Sequence, residues 1–184
     1  VQDRVSVNAR IVRILTTARI AVVLLDRDIT EYPERSALDL VGIDNFTGGF
    51  VLGVHLAACG YSQVRFVARP HYPSTTNLRM AGLREALIQA NRTPARDWAR
   101  FGEPDDPAFV EALLRGKRPD AVVCSNDRTA ALLLQTLTSR GLKIPSDIAV
   151  AGFDDVRYAS LLYTPLTTLH QPCRDLGRLA VDLM

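Results

Sequence analysis

Cysteine is scarce in this 184-residue chain: Cys59, Cys124 and Cys173 are its three. An odd, widely spaced set excludes a disulfide framework, and each thiol sits in or beside an apolar pattern, so buried free thiols in a reducing compartment are expected. Neither these residues nor His55, His71 and His170 fall at metal-ligand spacing, so no metal site is expected. An excess of one charge is also missing. Lys and Arg total 22 against 20 Asp and Glu, which leaves a formal +2 and no surplus to drive binding to phosphate backbones. No apolar run approaches the roughly 20 residues of a membrane span. The opening "VQDRVSVNARIV" lacks the layout of a secretory signal. It also lacks an initiating Met and begins within a helical pattern, while "GRLAVDLM" stops in mid-helix, so both ends read as cut.

Apolar runs separated by helical patterns are what the chain does have. Val5, Ala9, Val12 and Ile14-Leu15 form a stripe compatible with a helix near residues 3–17. "IAVVLL" (Ile20 to Leu25) reads as a strand buried on both faces, and "LDLVGID" as a second. A helix from Thr47 to Cys59 meets Gly60, a left-handed stop. "VRFVA", "DAVVC" and "DIAVAGF" are further strands, and "TNLRMAGLREALIQA" and "NDRTAALLLQTLTSRG" are helices. "RDWARF" is a weak strand at best, and a helix is expected near 107–115. Strands that are apolar throughout, alternating with helices, imply an α/β fold with a parallel sheet covered on both faces.

Such sheets bind ligands beyond the carboxyl ends of their strands. The residues just after each run are Asp26-Arg27-Asp28, the loop Arg69 to Thr76, Ser125-Asn126-Asp127 and Asp154-Asp155. They mix donors and acceptors, as recognition of a polar, roughly neutral small molecule requires. Motifs for nucleophilic serine, zinc hydrolysis, phosphate loops and dinucleotides are all missing, so neither an enzyme nor a cofactor is expected.

"SNDRTAALLLQTLTSRGLKIPSDIAVAGFDD…TPLTTLHQP" resembles the core signature of the LacI/GalR family of bacterial transcription regulators, in their effector-binding domain. "VVLLDRD", "VGIDNFTGG", "HLAACGYSQVRFVA" and "LRMAGLREAL" fit in the same order, so the resemblance covers most of residues 20–184. It implies a type I periplasmic-binding-protein-like fold of two doubly wound parallel-sheet lobes joined by crossover segments, with the effector between them. Residues 1–43 and 171–184 would form an incomplete N-terminal lobe, and residues 44–170 the C-terminal lobe. A helix-turn-helix head, absent from these residues, would bind operator DNA as part of a cytoplasmic homodimer that acts as a repressor, with no membrane association.

By the same resemblance, Arg79 in "RMAG" reaches toward the effector, Asn126 in "SND" presents its amide, and Asp154 in "GFDD" accepts from ligand hydroxyls. Asn126 is also a good helix N-cap, and Asp155 reads as scaffold. Asp26 and Arg27 would face the effector from the other lobe or form a structural ion pair; Thr75 is a further contact. Trp98 would stack on a sugar face or a base, or fill the core. Gln171 and Pro172 read as a hinge, and "RPHYPSTTN" departs from the commoner glycine-containing loop. A sugar is the first expectation for the effector and a purine or nucleoside the second. A periplasmic solute-binding protein, an α/β enzyme and a purely structural dimerisation domain are the alternatives.

Overall fold

The computed structural model describes residues 2–30 and 33–184, with side chains in the first helix described from residue 10 onward. The chain divides into two units. The first comprises residues 1–44, 73–75 and 172–184, and the second residues 45–72 and 76–171.

In the first unit, helix α1 (Gln2–Thr17) precedes two short parallel strands, β1 (Val23–Leu25) and β2 (Asp39–Val41). Val23 lies opposite Asp39, and Leu25 opposite Val41. Helix α6 (Cys173–Asp182) lies against both strands. The expectation of a fully buried strand over Ile20 to Leu25 fails here. Only its last three residues pair, and Leu25 remains 50% exposed. With α6 packed against it and one described neighbouring strand, β1 is only partly screened from solvent.

The second unit is built on a five-stranded, wholly parallel sheet in the order β4-β3-β5-β6-β7. Its strands are β3 (Val64–Ala68), β4 (Ala99–Phe101), β5 (Ala121–Cys124), β6 (Ala149–Asp154) and β7 (Thr167–His170). Alternate side chains supply two cores, as the two-residue period of a strand dictates. Val64, Phe66, Ala68, Val123 and Ala151 pack with Leu52 and Leu56 of α2 (Asn45–Ala58) and Leu83 and Leu87 of α3 (Thr75–Gln89). Val67, Val122, Cys124 and Val150 pack with Val110 and Leu113 of α4 (Pro107–Leu114) and Leu133 and Leu137 of α5 (Asp127–Ser139). Both faces are covered, which is why the strand sequences are apolar without alternation.

Strand β7 was not anticipated. The stretch after Asp155 reads as a crossover, yet Thr167–His170 pairs with β6 in parallel, Thr167 opposite Ala151 and His170 opposite Asp154. Its half-exposed, edge position explains why it carries Thr-Thr rather than an apolar run.

Helices α2 and α3 approach backbone to backbone. A Cβ added at Gly49 would lie 1.9 Å from the carbonyl oxygen of Arg79, and one added at Gly82 would lie 1.9 Å from that of Phe46. Glycine is required at both contacts. Gly49→Ala is expected to lower unfolding stability by about 1–3 kcal/mol, the usual cost of overpacking, as read from urea denaturation.

The thiols differ from expectation, because Cys59 and Cys173 are exposed and only Cys124 is buried. Burial, and secondarily the charge of Asp127, push the Cys124 thiol well above its ordinary range. Mass spectrometry after brief iodoacetamide treatment should find Cys59 and Cys173 alkylated in the folded chain, and Cys124 only after denaturation.

Candidate functional site

The carboxyl ends of β5 and β6 in the second unit bring together Arg79, Asn126 and Asp154, three of the residues flagged by sequence. Arg79, in the second turn of α3, is their centre. It is 7% exposed, so its charge must be met inside the protein. Its Nε donates to Asn45 Oδ1 at 2.8 Å, and Nη1 donates to the carbonyl oxygen of Ser125 at 2.8 Å and to Asp154 Oδ1 at 3.4 Å. The guanidinium carbon lies 3.8 Å from the centroid of the Phe153 ring, a cation–π contact. Asn45 begins α2, so the glycine-mediated contact of α2 with α3 delivers both partners of the first bond.

Asp154 ends β6 with its side chain 30% exposed. Its φ of 116° and the φ of 56° at Asp155 place two successive non-glycine residues in positive-φ backbone. Gln171 holds this turn twice, through Nε2 to Asp154 Oδ1 at 2.5 Å and through its backbone N–H to the carbonyl oxygen of Asp154 at 3.4 Å. Sequence reading gave Gln171 only a hinge role. The signal available was its position just after a run that proves to be β7.

Asn126 caps α5, its Oδ1 accepting from the Thr129 N–H at 2.9 Å. That bond uses the carbonyl end of the side chain, so its amide hydrogens are the part suited to a ligand. Asp155 pairs with His170 at 2.7 Å on the exposed edge.

Other flagged residues lie elsewhere. Trp98 is not at the carboxyl-end face. It precedes β4 at the amino end of a parallel sheet, is buried in the core and packs against Phe66 with ring centroids 6.1 Å apart. The aromatic residue that does end β4 is Phe101, exposed and stacked on Tyr72 at 5.0 Å. Beside that stack, Arg69 Nε donates to Glu103 Oε2 at 2.6 Å, and this bond raises the Arg69 pKa. The loop after β3 is thereby tied to the loop after β4. A filter on strand ends would have returned Phe101 had "ARF" read as a confident strand.

Asp26 and Arg27 belong to the first unit, where they form an ion pair of 3.4 Å with the guanidinium half-exposed. Asp28 accepts from the backbone N–H groups of Thr30 and Ser36, so it closes its own loop. Thr75 also falls in the first unit; its hydroxyl is buried without a hydrogen-bond partner. A groove of 590 Å³ runs between α5 and Leu162–Thr164, away from Arg79 and Asp154. Its lining includes no charged side chain and none of the residues flagged by sequence.

Residues 54–184 match the model of a periplasmic binding protein-like domain. The HTH-type transcriptional repressor PurR of Vibrio campbellii is 33% identical over 156 residues, which make up 83% of this chain and 47% of that protein. The chain belongs to the LacI/GalR family of regulators, in their effector-binding domain. It spans about half the length of the curated relatives it matches. Among solved structures, a LacI-family regulatory protein from Chloroflexus aggregans superposes with a TM-score of 0.79 at 27% identity, covering 94% of this chain and 62% of that one. A LacI-family regulator from Enterococcus faecium, solved with bound ribose, shares the fold with a TM-score of 0.78 at 24% identity over 92% of this chain and 62% of that one. These relatives are named as transcription regulators rather than enzymes.

Arg79 is held by partners that a lysine's point charge cannot span together. Arg79→Lys should cost about 1–3 kcal/mol of stability, the penalty for buried polar groups left unmet. Asp154→Asn, at a more solvated position, should cost less, about 1 kcal/mol or below. Paired urea unfolding curves would check this order.

Proposed function

We propose that this chain is the effector-sensing part of a LacI-type transcription repressor, and that its ligand docks on the carboxyl-end face of the second unit's sheet. The carrying observation is the Arg79–Asp154 pair, whose cation is fixed by Asn45, Ser125 and Phe153 while its carboxylate stays partly open to solvent. A carboxylate held in this way can accept hydrogen bonds from a ligand's hydroxyl or N–H groups, and Asn126 can donate beside it. Because the pair balances its own charge, the reading favours a neutral ligand over a free anion.

Two observations favour a flat purine-type base as that ligand. The stacked Tyr72 and Phe101 offer an aromatic surface at the same end of the sheet, and several curated relatives share the name PurR. A carbohydrate, the first expectation from sequence, becomes the second reading, favoured by the hydroxyl-accepting chemistry of Asp154 and by the ribose in the Enterococcus neighbour. Thr75, Asp26 and Arg27 stay in the proposal as ligand contacts, and Trp98 does not.

In this reading residues 1–43 with 171–184, and residues 44–170, are the two lobes. Ligand binding changes their preferred arrangement in a cytoplasmic homodimer, and a helix-turn-helix head outside these residues feels the change as altered operator affinity. The coupling is reciprocal: operator binding must alter ligand affinity by the same factor. No bond in the ligand is broken and no cofactor takes part. A periplasmic solute-binding protein would use the same face but would show no operator coupling.

A thermal-shift screen and calorimetry with hypoxanthine, guanine, adenosine, ribose and galactose test the reading. One class should raise Tm, with about 2.7 kcal/mol of added stability at a hundredfold excess over Kd, and Asp154→Ala should abolish the response with the fold intact. No shift from any of these compounds, or operator binding by the full-length protein that ignores every ligand that stabilises this domain, would overturn it.

A further inference from the structure

Asp127 is the most deeply buried acid of the second unit, 0% exposed at the first position of α5. Neither of its recorded hydrogen bonds serves its own helix, whose N-cap is Asn126. Oδ2 accepts from the backbone N–H of Val156 at 2.9 Å, and Oδ1 accepts from the hydroxyl of Thr168 at 2.6 Å. That hydroxyl oxygen accepts in turn from the backbone N–H of Asp155 at 3.3 Å. One carboxylate therefore holds the two residues that follow Asp154 and ties them to β7. The path it takes is narrow, because a Cβ at residue 152 would lie 2.1 Å from Asp127 Oδ1. Gly152 is glycine so that the carboxylate can cross the strand.

The segment held in this way is the one that needs holding. Asp154 and Asp155 both have positive φ without being glycine, a conformation that persists only where its surroundings over-determine it. Removing the Asp127 carboxylate would leave the Val156 N–H without its acceptor and release the Thr168 hydroxyl. The turn could then relax toward ordinary backbone angles and swing Asp154 away from Arg79 and Gln171.

We propose that Asp127 is a positioning residue for the effector site: it does not touch the ligand, but it sets the direction of the Asp154 carboxylate through the strained turn. Its relevance to effector binding rests on the proposed function above. Its action on Asp154 does not, and can be read without any ligand.

Nitrogen-15 NMR of the chain supplies that reading, with the Gln171 side-chain amide and the Arg79 Nε–H as reporters. Asp127→Ala removes the carboxylate. Thr168→Val, nearly isosteric, removes one rung and serves where Asp127→Ala fails to fold. Both reporters should shift or broaden in each folded variant, although neither lies within the mutated contact. Unchanged reporters, with only the Val156 amide exchanging faster, would overturn the proposal, since Asp127 would then serve local stability alone.

Calorimetry with hypoxanthine and ribose gives the second arm. The affinity of whichever compound binds the unaltered chain should fall about tenfold or more in the Asp127 variant, the scale of one charge-assisted hydrogen bond. In an Asp154→Asn background, which weakens the contact but keeps a side chain that can bind, the same substitution should cost less than in the unaltered chain. An equal loss in both backgrounds would overturn the positioning role. Failure of both compounds to bind while the reporters still move would count against the proposed ligand class and leave the Asp127–Asp154 linkage supported.

Discussion

A guanidinium taken out of water must find its hydrogen bonds inside the protein, and the second unit is arranged around that demand at Arg79. The partners come from three separate parts of the chain. Asn45 opens α2, the Ser125 carbonyl follows β5, and Phe153 and Asp154 end β6. The charge can be met only if the two helices touch and two adjacent strands stop at the same level. Close helix contact calls for Gly49 and Gly82, and level strand ends call for the parallel register of β5 and β6. The site is thus a consequence of how a buried cation is satisfied.

Much of this was open to a reader of the sequence, for specific reasons. Strands β3, β5 and β6 are buried on both faces, so their apolar runs had no rival explanation. Helices α2 and α5 end at glycines with φ near 95° and 80°, Gly60 and Gly141, which mark stops in any context. Asn126 and Asp154 stood out because family motifs and strand ends converge on them, and Arg79 through the family motif alone. The misses have a common origin in tertiary environment. Strand β7 carries threonines because it is an edge. The three residues of β4 are too few to show a period. Trp98 gives no sign of which end of the sheet it occupies, since its place depends on where β4 begins to pair. Cys59 and Cys173 sit on helical patterns whose exposed side only packing decides.

The acidic pair in "GFDD" illustrates how much one residue type can conceal. Asp154 meets the buried arginine, Asp155 meets a solvent-facing histidine, and Asp127, distant in sequence, holds the backbone beneath both. Three carboxylates lie within one corner and do three different things. Sequence spacing separates none of these roles. Burial and the identity of the nearest donor do.

The link between the loops after β3 and β4 bears on how the protein can change over time. Arg69–Glu103 and Tyr72–Phe101 join those loops to each other, while Arg79 is anchored to main chain and to Asn45, independently of them. In the proposed reading, the loops that would meet a ligand are thus fastened by contacts other than those described for the charged anchor. On that reading, substitutions in "RPHYP", ahead of α3, would retune which molecule is accepted while leaving the described bonds of the buried cation in place. A scaffold divided in this way lets selectivity drift between lineages while the fold stays in place.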